Sequence, residues 1–567
     1  MRKVFQRILQ YVRGWGLRHL VLTAVTLLLI LLVAFPLALL LWNSFRFDGQ
    51  LSVQHYADVF SESRNFRPFI NTIKLGGLTV LTSAIIALPT AYLVARTDLP
   101  LKGLIETLLI VPYMIPPFLG AMAWIHLMAP RVGYLNRAWM HVFGGMGGPF
   151  NIYGLWGIVW VMTLHNYPFM YFTARSALER MDPALEESAR ICGAGRLRVA
   201  RGITLPLIAP ALGAGALLVF LYTVANFGIP ALIGMQARFY VLTTRIYGYI
   251  YTGNFSGIKQ AAALSAVLIA VAGVAVVLNR LLLGRKEFTV VTGKGARPPR
   301  VRLGFWKAPI LGLLAIFFAI IVLLPVLSIL SSALLKAWGL PLSAHNVSLD
   351  NLRYVLFEYD LTRTALKTSF LLALSAATAT TIIGTLVAYL QVRTQFRGRH
   401  AMEWLATLPY AIPGTVIALA MILAWSGAFA INLYNTFWII LVAYVARYVT
   451  FPFRNVGAML RQVHPSLEEA ATACGAGWLR RFRDVIIPLI KPGLIASWFL
   501  VFIPTLRELT ISILLWGPKT PTVGVAIFEM QDAGDYSSAA ALGSVILIIV
   551  VSANLLLRKL LNVRFRI

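Results

Sequence analysis

The sequence predicts an all-α membrane protein with about twelve transmembrane helices in two parallel six-helix halves. Three observations carry that prediction: an apolar composition, twelve apolar stretches of spanning length, and a segment that occurs twice. Of the 567 residues, 59% are hydrophobic and 13% are charged. So few charges cannot screen that much apolar surface from water, which makes the bilayer part of the solvent. A helix needs roughly 20 apolar residues to cross its hydrocarbon layer.

Such stretches lie near 20–42, 70–95, 104–129, 152–172, 203–225 and 261–283. After a polar gap they resume near 308–335, 368–391, 403–427, 436–455, 485–503 and 539–561. The basic leader "MRKVFQRILQYVRGWGLRH" has the charge of a signal-peptide n-region. The apolar run behind it is long enough to span and reaches Trp42-Asn43-Ser44 without a small-residue cleavage pattern, so it reads as a retained helix.

A net charge of +29 would suggest nucleic acid in a soluble protein. Here most Lys and Arg fall in the loops on one side of the twelve-span topology, which makes that side, with both termini, cytoplasmic. Basic loops beside anionic lipid account for the charge, and no nucleic-acid partner is expected. Cys192 and Cys474 fall on this reducing side, which argues against a disulfide framework and reads them as small buried packers.

The repeat defines the halves. "LEESARICGAGRLRVARGITLPLIAPAL" begins at Leu185 and "LEEAATACGAGWLRRFRDVIIPLIKPGL" begins 282 positions later at Leu467, with 16 of 28 residues identical. "AYLVART" at 91–97 resembles "AYLQVRT" at 388–394, "VPYMIPP" at 111–117 resembles "LPYAIPG" at 408–414, and "QAAALSAVLI" at 260–269 echoes "SAAALGSVIL" at 538–547. The halves are read as 1–283 and 308–567, joined by a basic cytoplasmic linker at 284–307. Six spans per half is an even number, so both halves enter in one orientation and both copies of the segment reach the cytoplasm.

Within the segment, Asp182-Pro183 is a helix start with Asp as N-cap, and Ser466 and Glu469 have capping-box spacing. Glu186, Glu187, Glu468 and Glu469 fall in first turns, where the helix dipole favours acids. Small residues follow (Ser188 and Ala189; Ala470 and Ala471), leaving a face that another surface can approach closely. Gly193 and Gly475 permit a sharp turn, Gly195 and Gly477 lie two residues beyond, and Pro206 and Pro488 mark the next spans. One such hairpin would read as an ordinary capped helix pair; two copies with the same glycines, acids and proline favour a shared function.

These residues resemble the EAA loop of bacterial ABC importer permeases: Glu469-Ala470-Ala471, Gly475 and Val485-Ile486-Ile487-Pro488 in the second half, Glu187-Ser188-Ala189, Gly193 and Ile203-Thr204-Leu205-Pro206 in the first. The departures are Ser188, Val485 and Ile487. The resemblance implies a type I importer-like fold whose loops near 183–206 and 465–488 are coupling helices. Each engages one subunit of a homodimeric ATPase, which binds the ATP and Mg. A periplasmic or extracellular binding protein delivers substrate to this multi-pass inner-membrane chain. No Gly-x-x-x-x-Gly-Lys-Ser/Thr phosphate loop occurs here, so no enzyme activity or bound cofactor is expected of this chain.

The fused two-half arrangement, with "LRELTISILLWGP" at 506–518 and the stretch "TPTVGVAIFEMQDAGDYSSAAALG" after it, looks most like ferric-iron permeases and their relatives for thiamine and 2-aminoethylphosphonate; a polyamine is a further alternative. No His/Asp/Glu cluster has metal-ligand spacing, and His126 and His165 read as hydrogen-bonded structural residues. Arg507-Glu508 is the sharpest pathway candidate, because charges beside apolar segments must be paired, wet or near the interface. A structural ion pair at the outer surface is the competing reading. Asn226 stands at the position matching Glu508, and Tyr113 and Tyr410, in matching proline-flanked segments, are gate or packing tyrosines. An ion-coupled secondary transporter would leave the repeated loops unexplained, and a membrane enzyme lacks a paired acid–base or nucleophile constellation.

Overall fold

The computed structural model describes residues 17–47, 50–145, 147–252, 255–283, 301–340, 343, 345–427 and 431–560. Apart from two two-residue strands near 46–51, its long elements are helices. Among the described residues nine helices are long and apolar enough to span a bilayer, and two bent helix pairs raise that to eleven. The remaining stretch, 152–172, lies in Leu155–Arg180, which is not among them; Thr163, His165 and Asn166 lie on its buried length.

The bent pairs are Lys102–Met114 with Pro117–Met128, turning by 94°, and Arg399–Ala411 with Gly414–Trp425, turning by 116°. They fall on the matched "VPYMIPP" and "LPYAIPG" segments. Proline has no N–H to donate and disfavours helical geometry in the residue before it. Ile115 and Ile412, each before a proline, accordingly adopt extended backbone.

Four other spans keep their direction by widening one turn. Five-residue π-turns at Ile30–Ala34, Ala200–Thr204, Ala319–Leu323 and Phe482–Ile486 each end two residues before a proline: Pro36, Pro206, Pro325 and Pro488. The pyrrolidine ring clashes with the carbonyl four residues back, and a local i→i+5 turn opens room for it.

The described residues form two compact units, and each draws on both halves of the sequence. One comprises those of Met1–Arg46, Thr364–Val525 and Ser552–Val563; the other comprises those of Phe47–Arg363 and Ala526–Val551. In the first, Val25 and Leu29 from the first span enter a core with Tyr389, Met402, Phe453 and Ile490. In the second, the span after the linker packs on first-half helices: the Ser328 hydroxyl donates to the Ala123 carbonyl at 3.1 Å, and the Tyr134 and Ser332 hydroxyls share a hydrogen bond of 2.9 Å. Each unit thus takes its opening span from the other half of the sequence. Lipid tails are as apolar as leucine, so close packing and such hydrogen bonds hold these helices together.

Of the linker read at 284–307, residues 284–300 lie outside the described residues. Its end is tied down. Val301 N–H donates to the Arg96 carbonyl at 2.8 Å, and the Asp98 carboxylate accepts from Leu303 N–H at 2.9 Å and pairs with Lys307 at 2.8 Å. The Lys307 ammonium, with that backbone N–H, holds the Asp98 carboxyl below its ordinary range.

Candidate functional site

The two repeated loops fold alike. Helices Pro183–Ile191 and Ser466–Ala473 end at Gly193 and Gly475, whose φ values of 82° and 77° favour glycine. Each end is a Schellman turn: Ala194 N–H donates to the Ala189 carbonyl and Ala476 N–H to the Ala471 carbonyl, both at 2.9 Å. The carbonyls of Gly195 and Gly477 then accept from Val199 and Arg481 N–H, both at 3.0 Å, and open the second short helix.

Of each acid pair, one turns inward. Glu186 is buried and accepts from the Thr204 hydroxyl at 2.6 Å. Glu468 is buried, accepts from the Tyr389 hydroxyl at 2.8 Å and pairs with Arg393 at 2.8 Å. Glu187, Ser188, Glu469 and Ala470 are exposed, with Ala189 and Ala471 half-buried. Leucines flank them at matched positions: Leu185 and Leu467 are 47% and 46% exposed, Leu197 and Leu479 64% and 61%. Each loop thus presents an apolar pair beside a carboxylate on its outer face.

Sequence reasoning missed the residues that aim the loops. Arg96 donates to the Met181 carbonyl at 3.0 Å and Arg393 to the Val463 carbonyl at 2.6 Å, each just before its loop helix. Both arginines belong to the repeated "AYLVART" and "AYLQVRT" segments, so the signal was present. Replacing both with alanine removes a charge-assisted bond of about 1.5–3 kcal/mol from each loop. The loops should then exchange amide hydrogens at least tenfold faster around 181–195 and 463–477, measured by mass spectrometry, with membrane insertion retained.

Three expectations need correction. The capping box at Ser466 and Glu469 does not form: His464 accepts from Ser466 N–H at 3.2 Å, and Glu469 faces out. Cys192 and Cys474 are exposed rather than buried, because they lie on the projecting turn of each loop. His126 is buried without a hydrogen bond among the described residues, packed against Trp338 at 5.1 Å and Tyr536 at 6.3 Å.

The pathway candidates separate into two structural roles. The Glu508 carboxylate is buried and accepts from Ile511 N–H at 2.9 Å and Ser512 N–H at 3.1 Å, with the Arg447 guanidinium acting on it. Asn226 does the same at the matched position: its side-chain oxygen accepts from Ile229 N–H at 3.1 Å. Tyr113 stands edge-on to Phe169 at 5.1 Å and Tyr410 edge-on to Phe451 at 5.0 Å. Tyr410 also lines an open cavity of about 670 Å³ with Thr407, Arg454 and Asn455. Among the described residues no group of three His, Cys, Asp or Glu is placed to hold a metal.

The family described as binding-protein-dependent transport system inner membrane component matches residues 80–283 and 380–564. The chain belongs to that family. The two matched regions follow the internal repeat, so this inner membrane component carries the family's unit twice. Among similar proteins, the ferric transport system permease protein FbpB of Actinobacillus pleuropneumoniae is 25% identical over 547 residues, covering 94% of this chain and 76% of that one. The Fe(3+)-transport system permease protein FbpB 2 of Haemophilus influenzae is 26% identical, covering 90% and 93%. A crystal structure of a bacterial ABC transporter involved in alginate import is similar at 19% identity and a TM-score of 0.36, covering 45% of this chain and 97% of that one.

Proposed function

We propose that this chain is the permease subunit of an ATP-driven importer, and that its cargo is ferric iron. The observation that carries the machine is the pair of matched loops, each held to its own unit by an inward glutamate and an arginine while the adjacent glutamate and two leucines face out. Two equal docking surfaces suit an ATPase made of two equal subunits, which bind the ATP and Mg and perform the hydrolysis. Closure of that pair would draw the loops together and switch the pathway by rigid-body motion. A binding protein delivers cargo to the opposite face, and both termini are cytoplasmic. The ferric cargo is supported by the two FbpB proteins that resemble this chain over most of its length.

Mild-detergent purification of the full chain from native membranes, followed by ligand analysis of its partners, tests this reading. An ATPase and an iron-loaded binding protein are expected. Thiamine, 2-aminoethylphosphonate or a polyamine on the binding protein would keep the machine and replace the cargo. Loss of the ATPase, under conditions that preserve a known importer, would favour a secondary transporter.

A further inference from the structure

The unit containing the first-half helices has a second open cavity, of about 670 Å³, on the side that the proposed topology turns away from the cytoplasm. Helix Leu242–Tyr251 forms one wall and helix Val523–Asp532 another. Glu529 and Asp532, one turn apart, both line it, and neither has an ion-pair partner among the described residues. The cavity's two cations are engaged elsewhere: Arg64 pairs with Glu62 at 2.6 Å, and Arg245 donates to Asn65 and Tyr249.

Tyr247 supplies the second, independent observation. It lines the same cavity at only 9% exposure, and its hydroxyl makes no hydrogen bond among the described residues. Burial, and after it the Glu529 carboxylate, hold that phenol above its ordinary range. Its ring is already packed, against Phe227 at 5.0 Å, Tyr251 at 5.6 Å and Phe528 at 6.3 Å. A buried phenol beside two carboxylates that have no ion-pair partner among the described residues is a set of hard oxygen donors. Hard donors select small, highly charged ions over soft ones. An organic ammonium would instead seek an aromatic face, and those of Tyr247 are taken up by Phe227, Tyr251 and Phe528.

We propose that this cavity is a reception site for ferric iron, with Glu529, Asp532 and the Tyr247 oxygen as its ligands. The inference rests on the ferric reading given above. Binding forms an iron–phenolate bond, and the phenol proton leaves through the open mouth of the cavity to solvent. The volume exceeds what a bare ion needs, so the ion's remaining oxygen ligands fit with it; Arg64 and Arg245 line the same cavity. Phe227, next to the Asn226 break, packs on both Tyr247 and Phe528 and so joins the site to the turn that ends the preceding span.

The test is a titration of the full chain, in lipid nanodiscs, with ferric nitrilotriacetate. The expected result is a visible phenolate-to-iron charge-transfer band that disappears in Tyr247→Phe. Glu529→Gln, which keeps shape and packing, should weaken the apparent affinity at least tenfold. No band in the wild-type chain, or an equal band in Tyr247→Phe, overturns the site. Binding of putrescine in place of ferric iron overturns it too. Iron uptake by cells carrying the wild-type importer separates the two readings: uptake without a Tyr247-dependent band removes only the reception site, whereas absence of ferric uptake removes the cargo assignment and this site together.

Discussion

Gly193→Asp combined with Gly475→Asp should cut ATP-driven uptake at least tenfold, a loss of about 1.4 kcal/mol or more in coupling, while the chain still inserts and folds. Both positions have positive φ, and a Cβ built at either meets no atom within 4 Å. The added side chain therefore clashes with nothing. Its backbone cost is about 1–2 kcal/mol per site in the left-handed region, which aspartate tolerates better than most residues. What changes is the surface: a carboxylate appears on the turn of each loop, between the exposed leucines, at the negative end of a helix. Gly193→Ala with Gly475→Ala carries at least that backbone cost without the charge and separates the causes. Uptake and co-purification of the ATPase are the readouts. Normal uptake by the aspartate pair would sink the coupling assignment. Equal loss in the alanine pair would shift the cause from the docking face to the turn itself.

Much of this was legible because the sequence repeats, with the loop segments and the turns after the next spans 282 residues apart. Residues 282 apart make the same contacts: Ala194 and Ala476 close the same turn, and Ile229 and Ile511 donate to the same kind of side-chain cap. The bends at Pro116 and Pro413 also follow from local chemistry, since a proline acts on its own turn wherever it stands. The unread features depend on partners distant in sequence. Glu186 and Glu187 are adjacent on one helix, and Thr204, brought back by the next span, meets the one that turns inward. In the second half Tyr389 and Arg393 meet the inward one from far upstream. Helical periodicity likewise does not say which half an opening span packs against, so the exchange of first spans between the units had no sequence signal. The capping box failed for a local reason, because the His464 ring reaches Ser466 N–H first.

Glu508→Ala should destabilise its unit by about 1–3 kcal/mol, the usual cost of leaving a buried donor without its acceptor, and Glu508→Gln should restore most of that loss. The carboxylate serves the backbone N–H groups of Ile511 and Ser512 in a site 7% exposed to solvent, so alanine strands both. Glutamine keeps an acceptor oxygen and gives up the charge. Asn226 performs the matching task in the other unit with a neutral amide, which shows that capping this turn needs an oxygen and not a charge. The extra feature at Glu508 is the nearby charge of Arg447, whose guanidinium donates to the Ile412 carbonyl beside the bend at Pro413. If the negative charge serves transport, through Arg447 and that bend, Glu508→Gln will be stable and slow. If Glu508 is only a cap, Glu508→Gln will be stable and fast, and Glu508→Ala will lose activity in proportion to folded protein. Thermal unfolding in detergent, measured beside uptake per folded molecule, distinguishes these outcomes. The equivalence with Asn226 favours the cap, and so predicts near-normal uptake by Glu508→Gln.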